Sequence, residues 1–302
     1  MNDKVRIAGA VGVGVIIIAL AFQLSLRNAE SQGAAVITAP PREVIVDHDV
    51  DSNGTPDWED HLAQNVFKTI TLPSSSSTVS ANTTGYVPPT TLTGKFSEAF
   101  LQDYLQGKMD GKDFSDPTAF IDTAVSAIEQ NAQSIRHTTA DVTSVPTTQE
   151  SLRTYGNALQ EIANRYAPST PPENEMAILE RALTTNDPQA LQGLTPIAEG
   201  YQHIITDTLH MSVPNTLVGV HLAILNGYED VYTDIQASQQ AFTDPLYTLA
   251  RTRNYETHVK SLLTAYVTLA HTLADQGIVY TSDEPGAFYN DLKAIDLGTI
   301  TP

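Results

Sequence analysis

Three apolar stripes with helical spacing set the terms for most of this chain. Leu152, Tyr155, Leu159, Ile162 and Tyr166 step by 3, 4, 3 and 4. Leu217, His221, Ile224, Tyr228, Val231 and Ile235 keep the same rhythm, as do Tyr255, Val259, Leu262, Tyr266, Leu269 and Leu273. Residues three and four apart share one face of an α-helix, so each stripe is a surface that must be buried against another helix. Second rows, such as Leu222 with Leu225 and Leu263 with Val267, widen each face toward that of a globular bundle. Asp116-Pro117, Asp187-Pro188 and Asp244-Pro245 punctuate the stripes. Asp caps a helix N-terminus well and Pro suits the first helical position, so each pair predicts a helix start. Pro214 predicts another, and Thr147 with Glu150 predicts a capping box ahead of Leu152. Residues 95–302 therefore read as about seven helices with short connections, an all-α antiparallel bundle. Asp141 to Val145 is the one candidate strand.

The first quarter of the chain is built differently. From Ile7 to Leu26 there is no charged residue, and a helix of that length crosses the roughly 30 Å of a bilayer core. Lys4 and Arg6 precede it and the rest is acidic, which predicts a single-pass anchor at the cell membrane, with the N-terminus cytoplasmic and the bulk extracytoplasmic. A cleaved signal peptide is the competing reading; the length of the apolar run and the lack of a small-x-small site favour the uncleaved anchor. The expected order is a tip and transmembrane helix over 1–27, an extended spacer over 28–43, a loop and its exit helix over 44–70, a Ser/Thr/Pro-rich disordered linker over 71–94, and the bundle over 95–302.

The loop is the one sharp chemical motif. Asp49-Val50-Asp51-Ser52-Asn53-Gly54-Thr55-Pro56-Asp57-Trp58-Glu59-Asp60 places oxygen donors at positions 1, 3, 5, 7, 9 and 12. Calcium takes six to eight hard oxygens, supplied at this spacing in EF-hand-like loops. Asp49, Asp51, Asn53, the Thr55 carbonyl, Asp57 and Asp60 are the expected ligands, and Gly54 stands where the backbone must turn. Without a cation the four carboxylates repel one another. Glu59 falls one place early and is expected to point outward or to reach the ion through water. An acidic turn with solvated carboxylates is the plainer alternative.

These residues resemble the calcium loops of dockerins and thrombospondin type 3 repeats, which implies the same six as calcium ligands. The pattern departs from a paired EF-hand. Pro56 lacks the N–H that bridges two loops, and Val44-Ile45-Val46 reads as extended rather than as an entry helix. Asp in place of Glu at position 12 weakens calcium and admits magnesium, with dissociation constants on the order of 10⁻⁴–10⁻³ M. Trp58, Leu62, Val66 and Ile70 mark the buried face of the exit helix. A looser resemblance, carried by Val213-Pro214, His221 to Asn226, Asp244-Pro245-Leu246 and Glu284-Pro285-Gly286, is to a helical domain of membrane-anchored proteins from small-genome bacterial lineages. It implies no activity.

Composition narrows the function. Thirty-five acidic against 16 basic residues give a net charge of −19, which repels nucleic acid. There is no cysteine, hence no disulfide, thiolate metal site or cysteine nucleophile. Neither a Gly-x-Ser-x-Gly elbow nor a phosphate loop outside the apolar span is present, so an enzyme is not expected. His203 and His210, with Glu199 nearby, lie too far apart in sequence for a two-ligand metal site on one helix. His221 sits in an apolar stripe and is expected to be a core residue. Tyr155, Tyr228, Tyr232, Tyr255 and Tyr266 are expected in the core with their hydroxyls at the rim, or else lining a cleft. The expectation is a calcium-binding envelope protein with a structural or protein-interaction role. The alternative is a sensory or ligand-binding ectodomain holding a small molecule between its helices.

Overall fold

The computed structural model describes residues 58–62, 89–98, 101, 125, 128–129, 133–167 and 173–295. The chain is mostly helical there. Seven α-helices are complete: α1 (Gln149–Tyr166), α2 (Glu175–Thr185), α3 (Thr195–Leu209), α4 (Val218–Ser238), α5 (Pro245–Thr252), α6 (Tyr255–Asp275) and α7 (Phe288–Leu292). Residues 58–62 and 92–98 are also helical, so a helix begins within the stretch read as linker.

α4 is the axis of the packing and touches α3, α5 and α6. Its predicted stripe is buried from Leu217 to Ile235, and the stripe of α6 is buried from Tyr255 to Leu273. The two helices approach closely at Gly227, where an added Cβ would lie 3.1 Å from the Leu262 side chain. α1 buries Leu152, Tyr155, Leu159 and Ile162, while Tyr166 is only half-buried.

Local chemistry explains where the helices begin and end. Thr148, not Thr147, caps α1. Its hydroxyl accepts from Ser151 N at 3.0 Å, and Ser151 Oγ accepts from Thr148 N at 2.8 Å. The predicted box is one residue out of register because Thr147 is used elsewhere: its hydroxyl accepts from Thr216 N at 3.1 Å. Asn186 ends α2 in the left-handed conformation, at φ 50°, which asparagine tolerates. Asp187 does cap the turn beginning at Pro188, through Gln189 N at 3.0 Å, but that turn is a 3-10 helix over Pro188–Leu194.

Two findings depart from the all-helical expectation. Residues 133–138 form neither helix nor strand, and they lie along α4 with Thr138 extended. The Asn226 side chain pairs with the backbone of His137 in both directions, at 2.8 and 3.1 Å. The candidate strand exists as β1 (Thr143–Val145), and it pairs in parallel with β2 (Ser212–Pro214), whose last residue, Pro214, is the predicted helix start. Pro214 has no N–H for a ladder, and it suits the strand end just before the 3-10 turn Asn215–Leu217.

The turn around Glu284 is pinned to α1. Its carboxylate accepts from Arg153 at 2.6 Å, from Thr281 N at 2.8 Å and from Asn157 at 2.9 Å. Those donors, led by the Arg153 guanidinium, hold the carboxyl down at about 2.

Candidate functional site

Of the six expected calcium ligands, Asp49, Asp51, Asn53, Thr55 and Asp57 lie outside the described residues, as does the span from Ile7 to Leu26. Asp60 lies within the helical stretch at 58–62. That stretch is seated on the helical domain: Leu62 is fully buried in the main core and Trp58 packs against it. Glu59 does not point outward. Its Oε1 accepts from Arg253 Nε at 2.6 Å, with both side chains mostly shielded from solvent. Among the described residues no three His, Cys, Asp or Glu side chains converge as a metal site. No described helix is long and apolar enough to cross a membrane.

The histidines are dispersed. His203 stacks on Tyr166 at 5.1 Å between ring centres, and His210 Nδ1 lies 2.7 Å from the Thr206 carbonyl in its own helix. Glu199 is exposed and joins neither. His221 is a core residue, as expected, fully buried with Nδ1 at 3.0 Å from the Tyr155 hydroxyl. Burial pushes this imidazole down to about 4, and nearby His137 adds to the effect. At neutral pH the ring is therefore neutral, and it shares one hydrogen bond with the Tyr155 hydroxyl through Nδ1.

The tyrosines are in the core, but their hydroxyls do not reach the rim. Tyr228 and Tyr266 hydrogen-bond to each other at 2.6 Å in the interior. Tyr255 donates to buried Glu175 at 3.2 Å. Burial raises all three phenols far above the ordinary range, so they stay neutral donors. Tyr232 is half-buried and accepts from Gln236.

A buried charge network on α4 went unread in the sequence. Asp234 has no exposed surface, and Arg251 Nη2 lies 2.7 Å from one of its oxygens while His258 Nδ1 lies 2.6 Å from the other. Burial pushes its carboxyl up, and the His258 ring and Arg251 guanidinium pull it back. Arg251 also donates to Ser134 at 2.9 Å and to the Asp230 carbonyl at 3.1 Å. Arg136 meets Asp230 at 2.8 Å and His137 meets Glu229 at 2.9 Å, which fastens the segment at 133–138 to α4. The available signal was three acids, Glu229, Asp230 and Asp234, on a helix whose apolar stripe leaves them little solvent-facing surface. With Asp234 held between the Arg251 guanidinium and the His258 ring, the arrangement is a structural polar network.

One cavity of about 390 Å³ opens between α1 and the strand pair. Tyr155, Val145 and Met211 form its apolar wall, and Glu150, Thr154 and Ser212 supply polar groups. Buried Tyr155 is its floor, locked by the bond to His221. That volume falls within the range of small-molecule sites, about 300–1,000 Å³.

Comparison of the chain with protein-family models, with curated proteins and with solved structures gives no match. The two resemblances drawn from the sequence therefore rest on its residues alone.

Proposed function

We propose that this is a membrane-anchored, extracytoplasmic calcium-binding protein with a structural or protein-interaction role at the cell envelope. The Asp49–Asp60 loop binds calcium, or magnesium more weakly, and stiffens the path from membrane to helical domain. The observation that carries the reading is the seating of the loop's exit helix, with Leu62 in the core and Glu59 on Arg253. A cation that orders the loop then also braces the domain, because the last proposed ligand, Asp60, adjoins Glu59.

Calorimetric titration of the full chain in detergent tests this. Millimolar calcium should bind and raise the unfolding temperature, with about 1.4 kcal/mol gained at ten times the dissociation constant. No heat at millimolar calcium, or the same response in Asp49→Ala, overturns it. A second reading, a small molecule held by the helical domain, is favoured by the cleft at Tyr155.

A further inference from the structure

We propose that the cleft between α1 and the strand pair binds a small organic cation, with its ammonium group at Glu150 and its apolar body against Tyr155, Val145 and Met211. This rests on the second reading above and is independent of calcium. Glu150 is the single charged side chain among the lining residues. It is exposed and has no ion pair or hydrogen bond among the described residues. The nearby donors are already engaged. Arg153 is held by Glu284 and by the Val279 carbonyl, and Gln149 donates to the Gln276 carbonyl. Thr154 stands one helical turn after Glu150 on the same face, and its hydroxyl, like that of Ser212, has no partner among the described residues.

The other ligand classes fit poorly. A helix N-terminus commonly attracts anions, but here Glu150 occupies the first turn and the Ser151 N–H is taken by Thr148. A metal ion would find one carboxylate and two hydroxyls, short of the donor set hard cations require. A wholly apolar ligand would gain nothing from Glu150, whose exposed carboxylate would stay in water. A cation with an apolar body satisfies both halves of the cleft, and the chain's charge of −19 concentrates cations near its surface.

The test is ligand-observed NMR and calorimetry on the full chain with three probes of one shape: phenethylammonium, neutral 2-phenylethanol and anionic 3-phenylpropionate. The cation should bind best and the anion worst. Glu150→Gln should cut affinity for the cation about fivefold, toward that of the alcohol, as expected for a partly exposed charge pair. Thr154→Arg places a cation one turn after Glu150 and should abolish binding of every probe while leaving the fold intact, because both positions are exposed. Equal affinity for alcohol and ammonium, blocked by Thr154→Arg, overturns the cation assignment and leaves a ligand site. Binding unaffected by Thr154→Arg, or no binding of any probe, overturns the site itself. A calcium titration of the same sample reads the envelope brace separately.

Discussion

Asp244 and Thr93 cap each other's helices. The Asp244 carboxylate accepts from Leu92 N at 2.7 Å and Thr93 N at 2.8 Å, while Thr93 Oγ1 accepts from Leu246 N at 2.9 Å. Two helix N-termini far apart in sequence thus share one set of caps, and Asp244 is almost fully buried. Asp244→Ala should lower stability by about 2–3 kcal/mol, since charge-assisted bonds are lost and buried N–H groups are left unpaired. The urea midpoint should fall with little change in slope. In the Thr93→Val/Asp244→Ala double variant the losses should sum to less than the two singles.

His221 gives the domain a defined acid response. Its folded value, about 4, lies below the unfolded value of 6.5. Above 6.5 both states are neutral and the full stability is present. As pH falls toward 4 the unfolded chain takes up a proton that the folded chain refuses, and about 3 kcal/mol is lost. His221→Leu should flatten this decline in denaturant-unfolding curves recorded across that window. At pH 7.5 it should itself cost about 1–3 kcal/mol, because the buried Tyr155 hydroxyl loses its hydrogen-bond partner.

Arg251 neutralises a carboxylate with no access to water. Arg251→Met should destabilise by about 3–5 kcal/mol, because Asp234 then stays buried with the His258 ring as its remaining side-chain partner. Asp234→Leu added to Arg251→Met should recover much of that loss, measured by thermal unfolding. A double variant no more stable than the single would mean that the network positions the segment at 133–138 more than it balances charge.

Gly156 has no room for a side chain. A Cβ there would overlap the Tyr280 hydroxyl and lie 2.9 Å from its ring carbon Cζ. Gly156→Ala should cost about 1–3 kcal/mol through overpacking. Tyr280→Phe removes the nearest atom, so the double variant should regain part of that loss in the unfolding midpoint.

The helices were legible in the sequence because burial repeats with the helical period, and nearly every stripe residue from Leu152 to Leu273 is in the core. What escaped was set by partners distant along the chain. Asp244 looks like a cap for its own helix, yet its side chain serves Leu92 and Thr93. β2 carries too few residues to show an alternating pattern and ends in a proline, so its pairing with β1 left no local trace. Glu229, Asp230 and Asp234 take their partners, His137, Arg136 and Arg251, from other segments, and no local pattern links them. The cleft followed the same logic: Glu150 was assigned to a cap, and only the shift of that cap to Thr148 leaves its carboxylate over the cavity.

The pairing of β1 with β2 has a kinetic consequence. It closes a loop containing all of α1, α2 and α3, whereas the contact of α4 with α5 is between neighbours in sequence. Loop closure is entropically uphill until the enclosed elements are in place, so the strand pair should form after the helices have docked. Three residues per strand, with β1 exposed at Thr143 and Ser144, also make it the first element to fray. Since Val145 and Ser212 wall the cleft, a ligand seated there would brace the two short strands, and its binding should slow amide exchange at Ser144 and Val213.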